Sequence, residues 1–181
     1  MTDLNISPIH PRQAASEREP GVRPEPTWDL IELLFFAYRD FVGDPDDVLT
    51  KLNFGRAHHR VLHFVNRNPG MKVADLLDIL KITKQSLGRV LKQLIDQGYI
   101  VQKEGANDRR QRLLYATGKG EALAMRLANL QTERITRALA ELGPGTHENA
   151  RQFLIAMINV ENRNQAMKLT ARPDPKRKTT P

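Results

Sequence analysis

Between Val73 and Ala116 the chain sets out five pieces in a fixed order, and that order constrains the fold more than any single residue does. Val73 to Leu80 reads as a short amphipathic helix with Leu76, Leu77 and Leu80 turned inward, and it stops at a brief break, Lys81 and Ile82. Thr83 then offers a side-chain oxygen at an N-cap position. Leu87, Val90, Leu91, Leu94 and Ile95 follow at the i, i+3, i+4, i+7, i+8 spacing of one helical face. Gly98 stands where a left-handed residue closes a helix. Beyond it, Tyr99 to Glu104 and Arg112 to Ala116 read as two strands around the polar tip Gly105-Ala-Asn-Asp-Arg-Arg-Gln.

Two helices joined by a tight break form a helix-turn-helix, and a polar-tipped hairpin directly behind them makes it a winged helix. The 3.6-residue period recurs elsewhere, so the expected fold is mainly α: a winged helix-turn-helix with a two-stranded β wing and long N- and C-terminal helices. Pro45, Pro69 and Pro144 are expected to separate helical patterns. Trp28 to Val42 is too apolar for an exposed surface helix and is expected to be buried, with another subunit as a candidate cover. Phe54 to Val65 places Phe54, His58, Val61 and Val65 on one face. Thr117 opens a helix to about Leu142, and after Gly143-Pro-Gly145 a last helix is expected from about Thr146 to Met167. Eight of the 11 prolines lie outside this region, so 1–26 and about 171–181 are expected to be flexible arms, the second of them basic.

The apolar share, glycine included, is roughly 46 %, which suits a globular chain with a packed core. Cysteine is absent, which excludes disulfides, thiolate zinc sites, iron-sulfur clusters and thiol chemistry. The apolar run from Leu30 to Tyr38 contains Glu32 and falls short of a membrane span, and MTDLNISPIHP is not a secretory signal, so a cytoplasmic protein without a membrane partner is expected. With 28 Lys+Arg against 21 Asp+Glu the formal charge is +7, which points to a polyanionic partner. Residues 83–112 hold Lys84, Arg89, Lys92, Lys103, Arg109, Arg110 and Arg112 against Asp96, Glu104 and Asp108, a net +4 of that +7. The positive charge therefore gathers where a winged helix meets duplex DNA.

On the second helix, Gln85, Arg89, Lys92 and Asp96 fall together opposite the aliphatic stripe. Gln can pair bidentately with adenine and Arg with guanine, and Lys92 one turn further can meet a phosphate. Thr83, Lys84 and Ser86 sit at the helix N-terminus, where base edges or phosphates are approached. In the wing, Asp108 stands two residues before Arg110 and can brace a guanidinium for a narrow minor groove, with Arg109 and Arg112 beside it.

Asp108-Arg109-Arg110, followed by Leu113-Leu-Tyr-Ala-Thr117-Gly-Lys-Gly120, resembles the D-x-R wing and T-x-x-G of the MarR family of bacterial winged-helix regulators. The upstream stretch from Leu76 to Tyr99 is similar to that family's helix-turn-helix and its L-x-x-L-x-x-x-G-[LYW] ending, matched by Leu91, Leu94, Gly98 and Tyr99. The resemblance covers about residues 30–165 and extends to the PetP-like branch, on which nothing further rests. It implies a homodimer whose first and last helices intertwine, and a palindromic operator of double-stranded DNA. Residues 27–170 would form the domain, with a DNA-binding lobe at about 54–117 and dimerisation helices at about 27–43 and 118–168. Gln85 and Arg89 would read the major groove and Arg110 would enter the minor groove. Gly105-Ala106-Asn107 stands where the family's wing often has a second D-R pair, so fewer phosphate contacts are expected. Oxidant sensing through a cysteine of the first helix, known in some members, is excluded.

Many MarR-like proteins bind small aromatic acids in a crevice between the dimer helices and the lobes, and the sequence neither supports nor excludes such an effector. His59 and His63 lie one turn apart beside His58, a spacing that can share a metal, but no third or fourth ligand is evident and packed or solvated rings are the favoured reading. No phosphate-binding loop, nucleophile elbow or H-E-x-x-H occurs, so neither enzymatic activity nor a cofactor is expected. A winged helix that binds RNA or protein is the alternative. Its weakness is the scarcity of exposed aromatics for stacking, since only Tyr99 and Tyr115 lie in this region.

Overall fold

The computed structural model describes residues 25–105, 108 and 111–171. Its elements run α1 (Trp28–Thr50), α2 (Arg56–Arg67), β1 (Met71–Lys72), α3 (Val73–Leu80), α4 (Lys84–Asp96), β2 (Ile100–Glu104), β3 (Arg112–Ala116), α5 (Gly118–Leu142), α6 (Thr146–Met157) and α7 (Val160–Thr170). The three strands form an antiparallel sheet in the order β1-β3-β2. Glu104 pairs with Arg112 at the outer end of the hairpin and Ile100 with Ala116 at its base. None of the described helices is long and apolar enough to cross a membrane.

One core serves the end of α1, then α2, α3, α4, the sheet and the first half of α5. Leu49, Leu62, Leu76, Leu87, Leu94, Ile100, Leu114 and Leu127 are its largest fully buried aliphatic side chains. Each fully buried side chain of this kind stabilises the fold by about 1.5–3 kcal/mol. The stripe expected on the second helix is the one that packs: Leu87, Val90, Leu91 and Leu94 are buried in α4. Thr83 caps that helix, its Oγ1 accepting the Ser86 N–H at 3.1 Å. At the other end Gly98 has φ +74°. The Gly98 N–H donates to Ile95 O at 2.9 Å and the Tyr99 N–H to Leu94 O at 2.8 Å, so the left-handed glycine satisfies the last carbonyls of the helix. That second bond explains why the strand starts at Ile100 and not at Tyr99.

Other expectations need correction. The two-stranded wing belongs to a three-stranded sheet, because Met71 and Lys72 pair with Leu114 and Leu113. Two residues are too few to show an alternating pattern. Pro45 does not end the first helix but lies inside it and is fully buried. A helix-interior proline leaves one carbonyl unbonded and costs about 3 kcal/mol when nothing compensates. Here Val42, Val48 and Leu49 are buried around it, and ion pairs from Asp44 to Arg134 (2.9 Å) and from Asp46 to Arg56 (2.8 Å) hold the segment. The second helix starts at Arg56, not Phe54; Phe54 is buried ahead of it and stacks on the His58 ring at 4.6 Å. The last helix is two, because Ile158 and Asn159 are extended between α6 and α7. The break is stabilised from α7 itself: the Arg163 guanidinium donates to Ala156 O at 2.7 Å and Ile158 O at 2.9 Å.

The apolar helix expected to be buried lies bare in the single chain. Trp28, Leu33 and Phe35 are each more than 60 % exposed, and Phe153, Leu154 and Met157 of α6 are at least half exposed. Contiguous apolar surface of this kind marks an interaction site in a folded protein.

Candidate nucleic-acid interface

The aliphatic stripe of α4 fixes which residues face outward. Lys84, Gln85, Arg89, Lys92 and Asp96 are all exposed on the side away from the core. Among the described residues, Lys84, Gln85 and Arg89 have neither a hydrogen-bond nor an ion-pair partner, so their donors are uncommitted. Lys92 is held differently: its ammonium pairs with Asp96 one turn on, at 2.6 Å. An exposed pair of this kind is worth about 0–1 kcal/mol, so a phosphate can displace the carboxylate. Thr83 and Ser86, proposed for base or phosphate contact, hold each other, since the Thr83 hydroxyl also donates to Ser86 Oγ at 3.0 Å.

The orientation of α4 is set from three sides. Its inner face is the core just described. From α2, His58 reaches it: the ring accepts the Gly55 N–H at Nδ1 (3.1 Å), which leaves the Nε2 proton to donate to Gln93 Oε1 at 2.6 Å. At the C-terminal end, the T-x-x-G segment fastens α5 to the exit of α4. The Thr117 hydroxyl donates to Gly98 O at 2.6 Å while accepting the Gly120 N–H at 3.1 Å. The Thr117 N–H donates to Tyr99 O at 3.0 Å, and Lys119 donates to Gln97 O at 2.9 Å with its ammonium 4.3 Å from the Tyr99 ring centroid. A Cβ on Gly120 would stand 2.0 Å from Tyr99 O. Only glycine admits that approach, so the motif is a joint between α5 and the exit of α4. The motif was visible in the sequence, but its structural purpose was not.

Between the start of α3, the flank of α4 and the strands lies a recess of about 700 Å³, bordered by Lys72, Gly88, Lys92, Gln102, Gln111 and Arg112. Lys72, Gln102 and Gln111 escaped the sequence reading, because the pairing of β1 with β3, which brings Lys72 to the hairpin, was not visible in it. Arg112 is committed to its cross-strand partner Glu104 at 2.9 Å. Lys103 stands 5.1 Å from the Tyr115 ring centroid. Asp108 is exposed, and its carbonyl accepts the Gln111 N–H at 3.0 Å. Arg109 and Arg110 lie outside the described residues, and with them the bracing of Arg110 by Asp108. Tyr99 is buried and Tyr115 half-buried, so neither offers a free ring for base stacking.

The comparisons meet this geometry at the same place. The MarR family model matches residues 52–111. The chain is 46 % identical over 129 residues to the HTH-type transcriptional regulator PetP of Rhodobacter capsulatus, across 71 % of this chain and 78 % of that protein. The chain belongs to the MarR family. It is a DNA-binding transcriptional regulator, and the PetP resemblance places it beside that branch. Solved structures share the fold: NadR in complex with 4-hydroxyphenylacetate has a TM-score of 0.62 at 20 % identity, covering 78 % of this chain and 99 % of that one. A mutant MarR from E. coli complexed with operator DNA has a TM-score of 0.54 at 19 % identity, covering 71 % and 91 %.

The three histidines of α2 separate in space. His58 is spent on Gly55 and Gln93. His59 and His63 border a crevice of about 260 Å³ between α1, α2 and α5, together with Tyr38, Arg56, Arg60 and Gln131. Desolvation against the crevice walls holds both imidazoles below their ordinary value, with His63 adding to the effect on His59 and Arg67 to that on His63. Among the described residues no group of three or more His, Asp or Glu is placed to hold a metal.

Proposed function

We propose that this regulator works in the cytoplasm as a homodimer on a palindromic operator, with α4 of each subunit in successive major grooves. The observation that carries the reading is the outward face of α4, where Gln85 and Arg89 present unpartnered donors on a helix fixed from three sides. Gln85 and Arg89 read bases, Lys84 and Lys92 meet phosphates, and the wing, with Arg109, Arg110 and Arg112, follows the minor groove. The bare apolar faces of α1 and α6 supply the dimer contact. Half-site centres then lie roughly 10–10.5 base pairs apart. The chemistry is binding rather than catalysis.

The histidine-lined crevice between α1, α2 and α5 lies between dimer helices and lobe, and with Arg60 and Arg56 at its border it suits a small anionic aromatic effector. Selection of bound duplexes from a randomised pool at about 150 mM salt, with wild type, Arg89→Ala and Arg110→Ala in parallel, tests the reading. A palindromic consensus that loses one base preference in Arg89→Ala supports it. Binding without consensus, seen only at low salt, would favour an RNA- or protein-binding winged helix.

A further inference from the structure

The helix α7 is tied to the helix-turn-helix of its own chain by a polar contact. The extended step at Ile158 and Asn159 ends α6, and the Arg163 guanidinium, bonded to Ala156 O and Ile158 O, fixes the angle at which α7 leaves it. From α7, Gln165 donates a hydrogen bond to Asp78 of α3, 87 positions earlier in the chain. The same carboxylate takes the Lys81 ammonium at 2.7 Å. Lys81 closes α3 in the left-handed region, at φ +50°, two positions before the Thr83 cap of α4. Asp78 is therefore shared between α7 and the turn from which α4 departs. The Lys81 ammonium, and after it Gln165, hold its carboxyl below the ordinary value, so the acceptor is charged. Packing does less to seat the helix. No residue of α7 is buried. Clefts of about 350 and 320 Å³ lie against it, one reaching to Met71 and Asp75 and the other to Phe64 and Lys81, and Gln165, Ile79 and Leu169 border both. Side chains facing such voids forfeit contacts that would otherwise fix the helix, which leaves the bond to Asp78 a large share in where α7 sits.

We propose that Gln165 is a positioning residue for operator binding: through Asp78 it ties α6 and α7 to the turn ahead of α4 and narrows the range of separations at which two copies of α4 can bind. The inference rests on the homodimer reading above, in which α6 belongs to the dimer face through Phe153, Leu154 and Met157. The Thr117 joint holds the exit of α4, and Gln165 holds the turn at its entry. A body held at two places pivots less than one held at one, so the second tie restricts how the lobe swings against the dimer helices.

The test titrates the full-length protein with duplexes that carry the selected half-sites at their optimal spacing and with one base pair removed or added. Each such step turns one half-site by roughly 34–36° and shifts it by about 3.4 Å. Gln165→Glu keeps the shape of the side chain, removes the donor and sets a like charge beside Asp78. Gln165→Glu combined with Asp78→Asn restores a hydrogen bond with donor and acceptor exchanged. Wild type is expected to lose at least about tenfold in affinity at the altered spacings and Gln165→Glu no more than about threefold, from an optimum weakened about three- to tenfold as the competent arrangement becomes less populated. The double variant is expected to return to the wild-type profile. Asn164→Ala, exposed on the same helix, is expected to match wild type. An unchanged profile in Gln165→Glu, or an equal loss at every spacing, overturns the proposal, as does a broad profile that the double variant leaves broad. A wild type indifferent to spacing would instead overturn the homodimer reading itself.

Discussion

Replacing Gly120 by alanine puts the joint between α5 and the recognition helix under a direct load. The added Cβ would stand 2.0 Å from Tyr99 O, 3.0 Å from Tyr99 C and 3.4 Å from a methyl of Leu62. The obstacle is backbone, so no side-chain rotation relieves it. Tyr99 O is also the acceptor of the Thr117 N–H, at 3.0 Å. Moving it by about 1 Å therefore loosens the cap of α5 as well as the strand start. Overpacking of a filled site costs about 1–3 kcal/mol and more where backbone must move, while the better helix propensity of alanine returns at most about 1 kcal/mol. The expected net loss is about 2 kcal/mol, or roughly 4–8 °C in Tm for a chain of this size. Gly118, two residues earlier on the same helix, has nothing within 4 Å of its would-be Cβ, so Gly118→Ala is expected to be neutral or slightly stabilising. Thermal and urea unfolding at one fixed protomer concentration measure both, since assembly would otherwise shift the midpoint. Equal stability of the two alanine variants would refute the joint.

Arg89→Ala is expected to cost about 1–3 kcal/mol at one base position, whereas Lys92→Ala should weaken all duplexes alike and reduce the salt slope by about one; a competition assay across single-base operator variants separates them. Gly88 is exposed in α4 with nothing within 4 Å of a would-be Cβ, so Gly88→Ala should stabilise the helix by up to about 1 kcal/mol while narrowing the recess and lowering operator affinity, read by unfolding and titration together. His59 and His63 have folded pKa values depressed below 6.5, so the unfolded chain binds more protons, and stability is expected to fall as pH drops through 6.5 toward the folded values. Unfolding at pH 7.5 and 5.5 should show that loss reduced in His59→Gln/His63→Gln. Phe35→Asp, on the bare face of α1, is expected to abolish dimers in sedimentation experiments and operator binding with them.

What could be read ahead of the structure was local. The cap at Thr83, the left-handed Gly98, the stripe of α4 and the hairpin after it each depend on residues within a few positions of one another, where spacing carries the physical signal. The apolar character of Trp28 to Val42 was legible in the same way, and Leu33 and Phe35 stand exposed on that helix in the single chain. The features that escaped depend on distant neighbours. Pro45 stays inside the helix where Val42, Val48 and Leu49 bury the segment and Arg134, ninety residues beyond Asp44, pairs with that carboxylate. Ile158 and Asn159 leave the helix because Arg163 caps the carbonyls they expose. Gly120 looked like a motif letter until the carbonyl of Tyr99 was seen against it. In the candidate interface, the outward placement of Gln85 and Arg89 followed from helical periodicity, but the commitment of Thr83 and Ser86 to each other, and of Arg112 to Glu104, required coordinates.

The central claim is that two copies of α4, held at a fixed separation by the dimer helices and the Thr117 joint, read one operator together. Inserting five base pairs between the half-sites of the selected operator tests it most directly, because half a helical turn moves the second site to the opposite face of the duplex while leaving every base contact available. The account predicts that affinity falls to the level of an unrelated duplex. Undiminished binding to the lengthened operator would mean that each lobe reads DNA alone, and would contradict it.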